Sequence, residues 1–213
     1  MTYLQIEFYL DGTGIYYDPY EPIHLDALLA WVEIPKFVKL DNLGKSEKPY
    51  DVSLPLDKWE IRGQWGWKAS ALFPGEDIFE SIQYWRKKFR QGKIELTQGS
   101  ANLQQGVYRE YNTPMCLVVT NKMVAYACGD KHKIAKILTK IKYLGKKRAY
   151  GKGKVVDISI SDVDYDWSID RDGRATRWLP YKNGIKLVRC RPPYWNRIDR
   201  INCCKIGDKI QLK

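Results

Sequence analysis

The first ten residues alternate between apolar side chains and polar or amphipathic ones. Leu4, Ile6, Phe8 and Leu10 are each separated by a single residue. A period of two is typical of a β-strand that buries one face. The sequence Asp-Gly-Thr-Gly at residues 11–14 consists of turn-forming residues. The chain is therefore predicted to begin with a half-buried strand that ends in a turn.

The next regular segment has the period of a helix. Between residues 24 and 32, Leu25, Leu28, Leu29 and Val32 recur at intervals of three and four. Such intervals place apolar side chains on one side of a helix. The sequence therefore predicts a strand followed by an amphipathic helix.

The pattern becomes irregular from about Lys36 to Thr113. Residues 59–72 form a tryptophan-rich strand candidate within this segment. Further along, four large apolar residues have helical spacing and predict a helix. They are Ile78, Ile82, Trp85 and Phe89. We interpret residues 36–113 as a large insertion into a smaller domain.

Four basic residues crowd the end of that predicted helix. They are Arg86, Lys87, Lys88 and Arg90. Cations at a helix C-terminus are stabilised by the helix dipole, which gives the cluster a structural explanation. Contact with phosphate is the alternative, and the sequence leaves both open.

Two strand candidates follow at residues 115–120 and 123–128. Asn121 and Lys122 between them predict a tight hairpin. Asp130 is placed to cap a second helix. The apolar residues of that helix predict that it continues to about Leu144.

Residues 155–160 form the last strand candidate of this region. The order strand, helix, insertion, hairpin, helix, strand is βαββαβ, and it predicts an α+β fold with a ferredoxin-like or RRM-like core. Residues 1–160 then form the domain that carries the insertion. Residues 161–213 are expected to be a C-terminal β extension packed on the same domain, with short strands at about 206–212.

A glycine-rich basic loop connects the second helix to the last strand. Residues 142–155 read KYLGKKRAYGKGKV, and Gly145, Gly151 and Gly153 allow left-handed backbone conformations and close approach to a ligand. Unobstructed amides and cationic side chains are suited to a phosphate backbone. The loop residues that we predict to contact RNA are Gly145, Lys146, Lys147, Arg148, Tyr150, Gly151, Lys152, Gly153 and Lys154.

The loop lacks the spacing of a nucleotide P-loop, and no Ser or Thr is placed to bind magnesium. It also precedes a strand, whereas a dinucleotide fingerprint opens a helix. An exposed turn that is basic for the sake of solubility remains the alternative. The sequence predicts no cofactor and no metal site.

The charge balance favours a polyanionic partner. The chain has 36 Lys and Arg against 25 Asp and Glu, a formal net charge of +11. The 8 Trp and 15 Tyr include candidates for base stacking. Five cysteines without a C-x2-C pair favour neither a disulfide framework nor a zinc ribbon. No signal peptide or membrane span is apparent, and we expect a cytoplasmic protein.

Several separate segments, taken in order, resemble a known family. They are residues 24–30, 129–130, 144–148, 151–155, 172–174 with 179–180, and 191–195. Together with the ferredoxin-like order and the glycine-rich loop, they resemble the RAMP superfamily of CRISPR-associated RNA-binding proteins. Within it, the chain is similar to the type IV effector subunit that binds the crRNA 5′ handle.

The resemblance implies a noncatalytic role in antiviral defence. Such a subunit caps the 5′ handle of the guide RNA and contacts the backbone subunits and a large subunit. It meets target DNA through the assembled complex, in which guide pairing reads the sequence. The resemblance also implies that the insertion at 36–113 acts as a thumb against a neighbouring backbone subunit.

The competing hypothesis is an enzyme. Related proteins include metal-independent endoribonucleases that process guide-RNA precursors, and His24 at the start of the first helix is the candidate general base. Tyr150 and Lys152 are candidates for assisting cleavage. The other explanation of His24 is structural, as a cap or an orienting group of the helix.

A third class is an interaction module whose basic face meets an acidic protein. Outside the loop, a further set of residues consists of candidates for contact with RNA or with partner proteins. This set consists of His24, Arg86, Lys87, Lys88, Arg90, Arg174 and Arg191.

Overall fold

The computed structural model describes residues 2–34, 51–90 and 102–210. This part of the chain is mixed and mostly sheet, with two α-helices, α1 (Leu25–Glu33) and α2 (Lys131–Leu138). The strands are β1 (Tyr3–Leu10), β2 (Ile15–Tyr16), β3 (Lys58–Ile61), β4 (Gln64–Trp67), β5 (Phe73–Pro74), β6 (Phe79–Lys87), β7 (Tyr111–Val119), β8 (Lys122–Cys128), β9 (Val155–Val163), β10 (Asp170–Arg171), β11 (Arg174–Ala175), β12 (Lys186–Val188) and β13 (Ile201–Cys203). The expected mixture of helices and strands is confirmed.

The main sheet has four strands in the order β5-β8-β1-β9. β1 pairs antiparallel with β8 and β9, so that Ile6 lies opposite Ala125 on one side and Ile160 on the other. Leu4, Ile6 and Phe8 are fully buried. Because successive strand residues point to opposite faces, one face of the sheet forms the core. The predicted period of β1 is confirmed.

Both helices cover this buried face. α1 contributes Leu25 and Leu29, and α2 contributes Ile134 and Leu138, to one apolar cluster. Asp130 caps α2 as predicted, because its Oδ1 accepts a hydrogen bond of 3.0 Å from the backbone N–H of Lys133. The helices therefore fix where the following loop leaves the core.

The prediction that α2 continues to about Leu144 is wrong. The helix ends at Leu138, and the backbone N–H groups of Lys140 and Ile141 bond to carbonyls three residues back. This tighter turn redirects the chain, while Ile141 and Leu144 remain buried. Apolar spacing alone did not distinguish this turn from continued helix, because the same side chains enter the core in both cases.

The segment predicted as a helix from Ile78 to Phe89 is instead β6. It pairs with β7 over nine residues, from Phe79 opposite Val119 to Lys87 opposite Tyr111. Together with the short β2 they form a sheet in the order β2-β7-β6. Ile82 is largely exposed. The apolar residues with helical spacing therefore do not form the buried face of a helix. We refer to β6 and β7 as the ribbon.

The predicted tight hairpin between residues 115–120 and 123–128 is also wrong. β7 pairs with β2 and β6, whereas β8 pairs with β1 and β5, so that the two strands belong to different sheets. Besides β1, the neighbour of β8 in the main sheet is the two-residue strand β5 at Phe73 and Pro74. Part of the range predicted as an insertion therefore lies in the main sheet.

The C-terminal part has its own apolar cluster, which includes Trp178 and Leu179 and packs on Trp59 of β3. Arg177 connects it to the rest of the molecule. Its Nη2 donates to Asp26 Oδ2 over 3.1 Å and its Nη1 donates to the Ala69 carbonyl over 2.8 Å.

The prediction of short strands at 206–212 is wrong for residues 206–210, which form a turn and a single bridge. Residues 211–213 lie outside the described part of the chain. Residues 36–50 and 91–101 of the predicted insertion also lie outside the described part of the chain.

Candidate nucleic-acid interface

The glycine-rich loop is closed at its base by short antiparallel bonds. The N–H of Leu144 donates to the Gly153 carbonyl over 2.7 Å, and the N–H of Val155 donates to the Lys142 carbonyl over 2.9 Å. The chain between these bonds projects from the core beside β2. Its position is therefore set by the pairing of its two ends and by the antiparallel bridge between Lys146 and Tyr16 of β2.

Two of the three glycines are required by packing within the chain itself. A Cβ atom at Gly153 would lie 2.1 Å from the Leu144 carbonyl oxygen, and one at Gly145 would lie 2.8 Å from Ile15 Cγ1. Both residues also have positive φ. Gly151 has a φ of +78° but open space around it. Gly145 and Gly153 are therefore needed for close packing of the loop on its own chain, and the predicted close approach to a ligand stays a prediction.

The turn after β1 holds the outer part of the loop. Thr13 Oγ1 donates to the Gly151 carbonyl over 3.1 Å, and Lys152 Nζ donates to the Thr13 carbonyl over 2.7 Å. The N–H of Gly153 bonds to the Gly14 carbonyl. Lys152 therefore serves the loop's own structure, and its charge is partly directed toward the protein.

The remaining cations of the loop differ in their surroundings. Lys146, Arg148 and Lys154 are exposed. Lys147 has a φ of +59° and its Nζ lies 3.8 Å from the centre of the Trp85 ring. This is a cation–π contact between the loop and β6. The loop thus presents cations while Lys147 attaches it to the ribbon.

Aromatic side chains of the ribbon extend this surface. The Trp85 ring meets Tyr150 edge to face at 4.6 Å, and Trp85 Nε1 donates to the Tyr111 hydroxyl over 3.0 Å. Tyr150 is 65% exposed and Tyr111 is 37% exposed. We define the loop–ribbon surface as residues 146–150 together with Trp85 and Tyr111, whose side chains lie on one face of the ribbon. Cations beside exposed rings are suited to a phosphate backbone and its bases.

The basic cluster at residues 86–90 lies on the same ribbon. Arg86 and Lys87 belong to β6, Lys88 and Arg90 follow it, and all four are exposed. Arg86 Nε donates to Asn112 Oδ1 over 2.9 Å. The helix-dipole explanation of this cluster is wrong because no helix is present there. Sequence reasoning missed the role of Trp85, although the run YWRKKFR at residues 84–90 mixes aromatic and basic residues as a nucleic-acid surface does.

A comparison with protein-family models identifies the chain. It matches the family of the CRISPR type IV associated protein Csf3 over residues 2–111 and 84–205. The chain belongs to this family. The predicted resemblance to a type IV CRISPR-associated protein is thereby confirmed. No curated protein sequence matches the chain.

Arg174 and Arg191 of this Csf3-family chain lie on other elements. Arg174 Nη1 donates to the Gly207 carbonyl over 2.9 Å. Arg191 is nearly buried, pairs with Asp199 Oδ2 at 3.1 Å, and lies over the Trp65 ring at 4.6 Å. These contacts stabilise the C-terminal part. Neither residue is brought together with the glycine-rich loop in the part of the chain described.

His24 is enclosed in the protein. It is only 2% exposed, and its ring lies 4.6 Å from both the Tyr194 and the Trp178 rings. Burial lowers the pKa of His24 well below 6.5, and the charges of Arg177 and Lys186 add to the effect. The imidazole is therefore neutral. Among the described residues, neither ring nitrogen has a hydrogen-bond partner.

Residues 2–34, 51–90 and 102–210 contain neither a metal-binding cluster nor a membrane-spanning helix. No group of three His, Cys, Asp or Glu residues there is arranged to hold a metal ion. No helix in these ranges is long and apolar enough to cross a membrane.

Proposed function

We propose that this Csf3-family chain is the noncatalytic guide-RNA-binding subunit of a type IV CRISPR ribonucleoprotein and caps the crRNA 5′ handle. The observation that carries the proposal is the loop–ribbon surface. It joins exposed cations at Lys146 and Arg148 to exposed rings at Tyr111 and Tyr150. This combination is suited to the phosphates and splayed bases of single-stranded RNA.

The strand order supports a ferredoxin-like RAMP core. Numbered within the motif, β1, β5, β8 and β9 are its strands one to four, and their order across the sheet is 4-1-3-2. α1 follows the first of these strands and α2 follows the third. This is a βαββαβ arrangement in which the glycine-rich loop leads into the fourth strand.

The ribbon is our candidate for the thumb. It projects mainly exposed side chains over nine paired positions and includes exposed apolar residues such as Phe79 and Ile82. Exposed apolar side chains on a projecting element favour contact with another subunit. In this proposal the ribbon meets a backbone subunit, a large subunit binds nearby, and target DNA is read by guide pairing in the cytoplasm.

The enzyme alternative requires an accessible general base. His24 is buried against Tyr194 and Trp178, and among the described residues it makes no contact with the glycine-rich loop. A general base must come within hydrogen-bond reach of the proton that it removes. Burial of His24 therefore supports the structural explanation of this residue and the noncatalytic reading of the protein.

The test is co-expression of the chain with its partner subunits and a CRISPR array, followed by sequencing of the copurified RNA. We expect guide RNA with a uniform repeat-derived 5′ end. Alanine at Lys146, Lys147 and Arg148 should deplete it. The matched control replaces three exposed lysines with alanine, Lys133 and Lys136 on α2 and Lys140 just after it, which removes the same charge. Absence of guide RNA from the wild-type complex would refute the proposal.

The enzyme hypothesis is tested separately with repeat RNA and the purified chain in the absence of metal. We expect the RNA to stay intact. A cut at one position that disappears in His24→Ala would show that the chain is an endoribonuclease and that His24 becomes accessible.

A further inference from the structure

A groove of about 1000 Å³ lies directly beside the glycine-rich loop. Leu28 of α1 and Met115 of β7 contribute apolar surface to it, and Tyr20 and Trp31 line it with rings. Tyr20 is 71% exposed and Trp31 is 51% exposed. Large exposed rings over an apolar floor form a surface on which a planar group can stack.

Groups of opposite charge line this groove from two sides. Lys146 and Arg148 come from the loop, whereas Asp18 and Glu80 come from the segment after β2 and from β6. Lys146 bridges to Tyr16, and Tyr16 pairs on its other edge with Leu117 of β7. β6, which carries Glu80, pairs with β7 on its far edge, so that Lys146 and β6 are separated by three strand spacings, about 14 Å, which the two side chains shorten.

The carboxylates gather around Cys116 of β7. The pKa of the Cys116 thiol is raised by burial first, and then by the charges of Glu80 and Asp18. Asp18 Oδ1 accepts the N–H of Tyr20 over 2.9 Å and so shapes the turn that carries this ring. Glu80 is exposed and has no hydrogen-bond or ion partner among the described residues. Its carboxylate is thus available as an acceptor.

We propose that this groove binds one nucleotide of the RNA, with its phosphate at Lys146 and Arg148 and a guanine base reaching Glu80. The inference rests on the proposed RNA-binding function and deepens it. Guanine offers two adjacent N–H donors on its pairing edge, which one carboxylate accepts together. Adenine and uracil present a donor beside an acceptor there, and the acceptor would face the carboxylate.

The mixed charge selects a nucleotide over a charged peptide. A free carboxylate repels phosphate, so Glu80 serves only the base end of the ligand. An acidic peptide would meet Asp18 and Glu80, and a basic one would meet Lys146 and Arg148. A nucleotide is the occupant with an anion at one end and hydrogen-bond donors at the other, joined by a planar group that stacks on Trp31.

The experiment uses the full chain and short oligouridine RNA in which one guanosine is placed at each position in turn. Matched sets carry adenosine or inosine, which lacks the 2-amino group. At one position we expect guanosine to bind about tenfold more tightly than adenosine, since a good bidentate contact discriminates by about this factor. Inosine should fall between them.

Variants of Glu80 and Trp31 separate recognition of the base from stacking of the base. Glu80→Gln should reduce the preference for guanosine to less than about threefold, because the charged acceptor is lost. Glu60→Gln, an exposed carboxylate on β3, should keep the preference. Trp31→Ala should weaken binding of guanosine and adenosine RNA alike by about tenfold, because stacking does not depend on the base. Thermal unfolding verifies that each variant is folded.

Each contrary result has a distinct meaning. If RNA binds through the loop cations but no position prefers guanosine, the groove inference is overturned and the proposed function stands. It is likewise overturned if Glu80→Gln keeps the full preference, or if Trp31→Ala leaves the affinity for both RNAs at the wild-type value. If the wild-type complex carries no RNA, the proposed function fails as well.

Discussion

Arg177 and Arg148 are the same residue type in opposite situations. Arg177 is completely buried, and protein acceptors surround its guanidinium. Arg148 is exposed, and its side chain has no hydrogen-bond or ion partner among the described residues. The first cation holds the fold together, and the second is available to a ligand. Net charge alone does not separate these two roles, but the supply of acceptors does.

The buried centre around Arg177 joins three distant parts of the chain. Nη2 donates to Asp26 of α1 and to the Cys190 carbonyl, and Nη1 donates to the carbonyls of Trp67 and Ala69. The Tyr194 hydroxyl donates to Asp26 over 2.9 Å. Burial raises the pKa of the Asp26 carboxyl, while Arg177 opposes that shift. Removing either charge would therefore leave the other buried without its partner.

The largest expected effect comes from Arg177→Met. We expect the free energy of unfolding to fall by about 3–5 kcal/mol, because Asp26 and several carbonyls lose their donor in the interior. Urea unfolding measures the change. Arg197→Met, at an exposed arginine with no hydrogen-bond or ion partner among the described residues, is the control and should change stability by no more than about 0.5 kcal/mol. Equal effects in the two variants would contradict the contrast between buried and available cations.

Gly153→Ala should have the next largest effect. The new Cβ would lie 2.1 Å from the Leu144 carbonyl oxygen at a residue with positive φ, and the strain should cost at least about 2 kcal/mol. Gly151→Ala has open space and should cost only about 1 kcal/mol, for its left-handed backbone. Thermal unfolding compares the two. A larger loss of stability in the Gly151 variant would contradict the close packing of Gly153 against Leu144.

His24 gives a smaller effect that depends on pH. Its pKa lies below 6.5 in the folded state, so the unfolded chain binds the extra proton first. The associated stability is present above about pH 6.5 and falls by about 1.4 kcal/mol per pH unit as pH drops toward the folded pKa. Urea unfolding of His24→Phe should lack this term, whereas His132→Gln, at an exposed histidine, should keep it. If the stability of the wild-type protein lacks this dependence on pH, His24 is exposed to water and not buried.

The smallest predicted effect is at Tyr150. Tyr150→Ala should weaken RNA binding by about 1 kcal/mol, because one exposed ring of the loop–ribbon surface is lost. Tyr165→Ala removes an exposed ring on another element and should have little effect on affinity. Fluorescence anisotropy with labelled single-stranded RNA compares them. The same loss in both variants would indicate that no particular ring contacts RNA.

Local periodicity predicts the elements that bury one face. β1, α1, β8 and β9 lie where their sequence patterns place them, and Asp130 caps α2. The glycine-rich loop was also predictable, because its glycines and cations are adjacent in the sequence. These features need only neighbouring residues, and the sequence reports neighbours directly.

Features that depend on distant partners were not predictable. β6 becomes a strand because it pairs with β7, across the segment 88–110, and its apolar residues happen to have helical spacing. β5 has two residues, one of them Pro74, and so carries no period. Asp26 and Arg177 are 151 residues apart in the sequence. The contact between Lys147 and Trp85, which builds the candidate site, likewise required the fold.

The central claim is that the available cations of the loop contact RNA phosphate. It is tested most directly by the salt dependence of RNA affinity for the triple alanine variant at Lys146, Lys147 and Arg148. Each lost contact should reduce the slope of log affinity against log salt by about 0.7, so that three contacts give about 2. The triple variant at Lys133, Lys136 and Lys140 removes equal charge and should keep the wild-type slope. The same slope in all three proteins, or an equal reduction in both variants, would contradict the account.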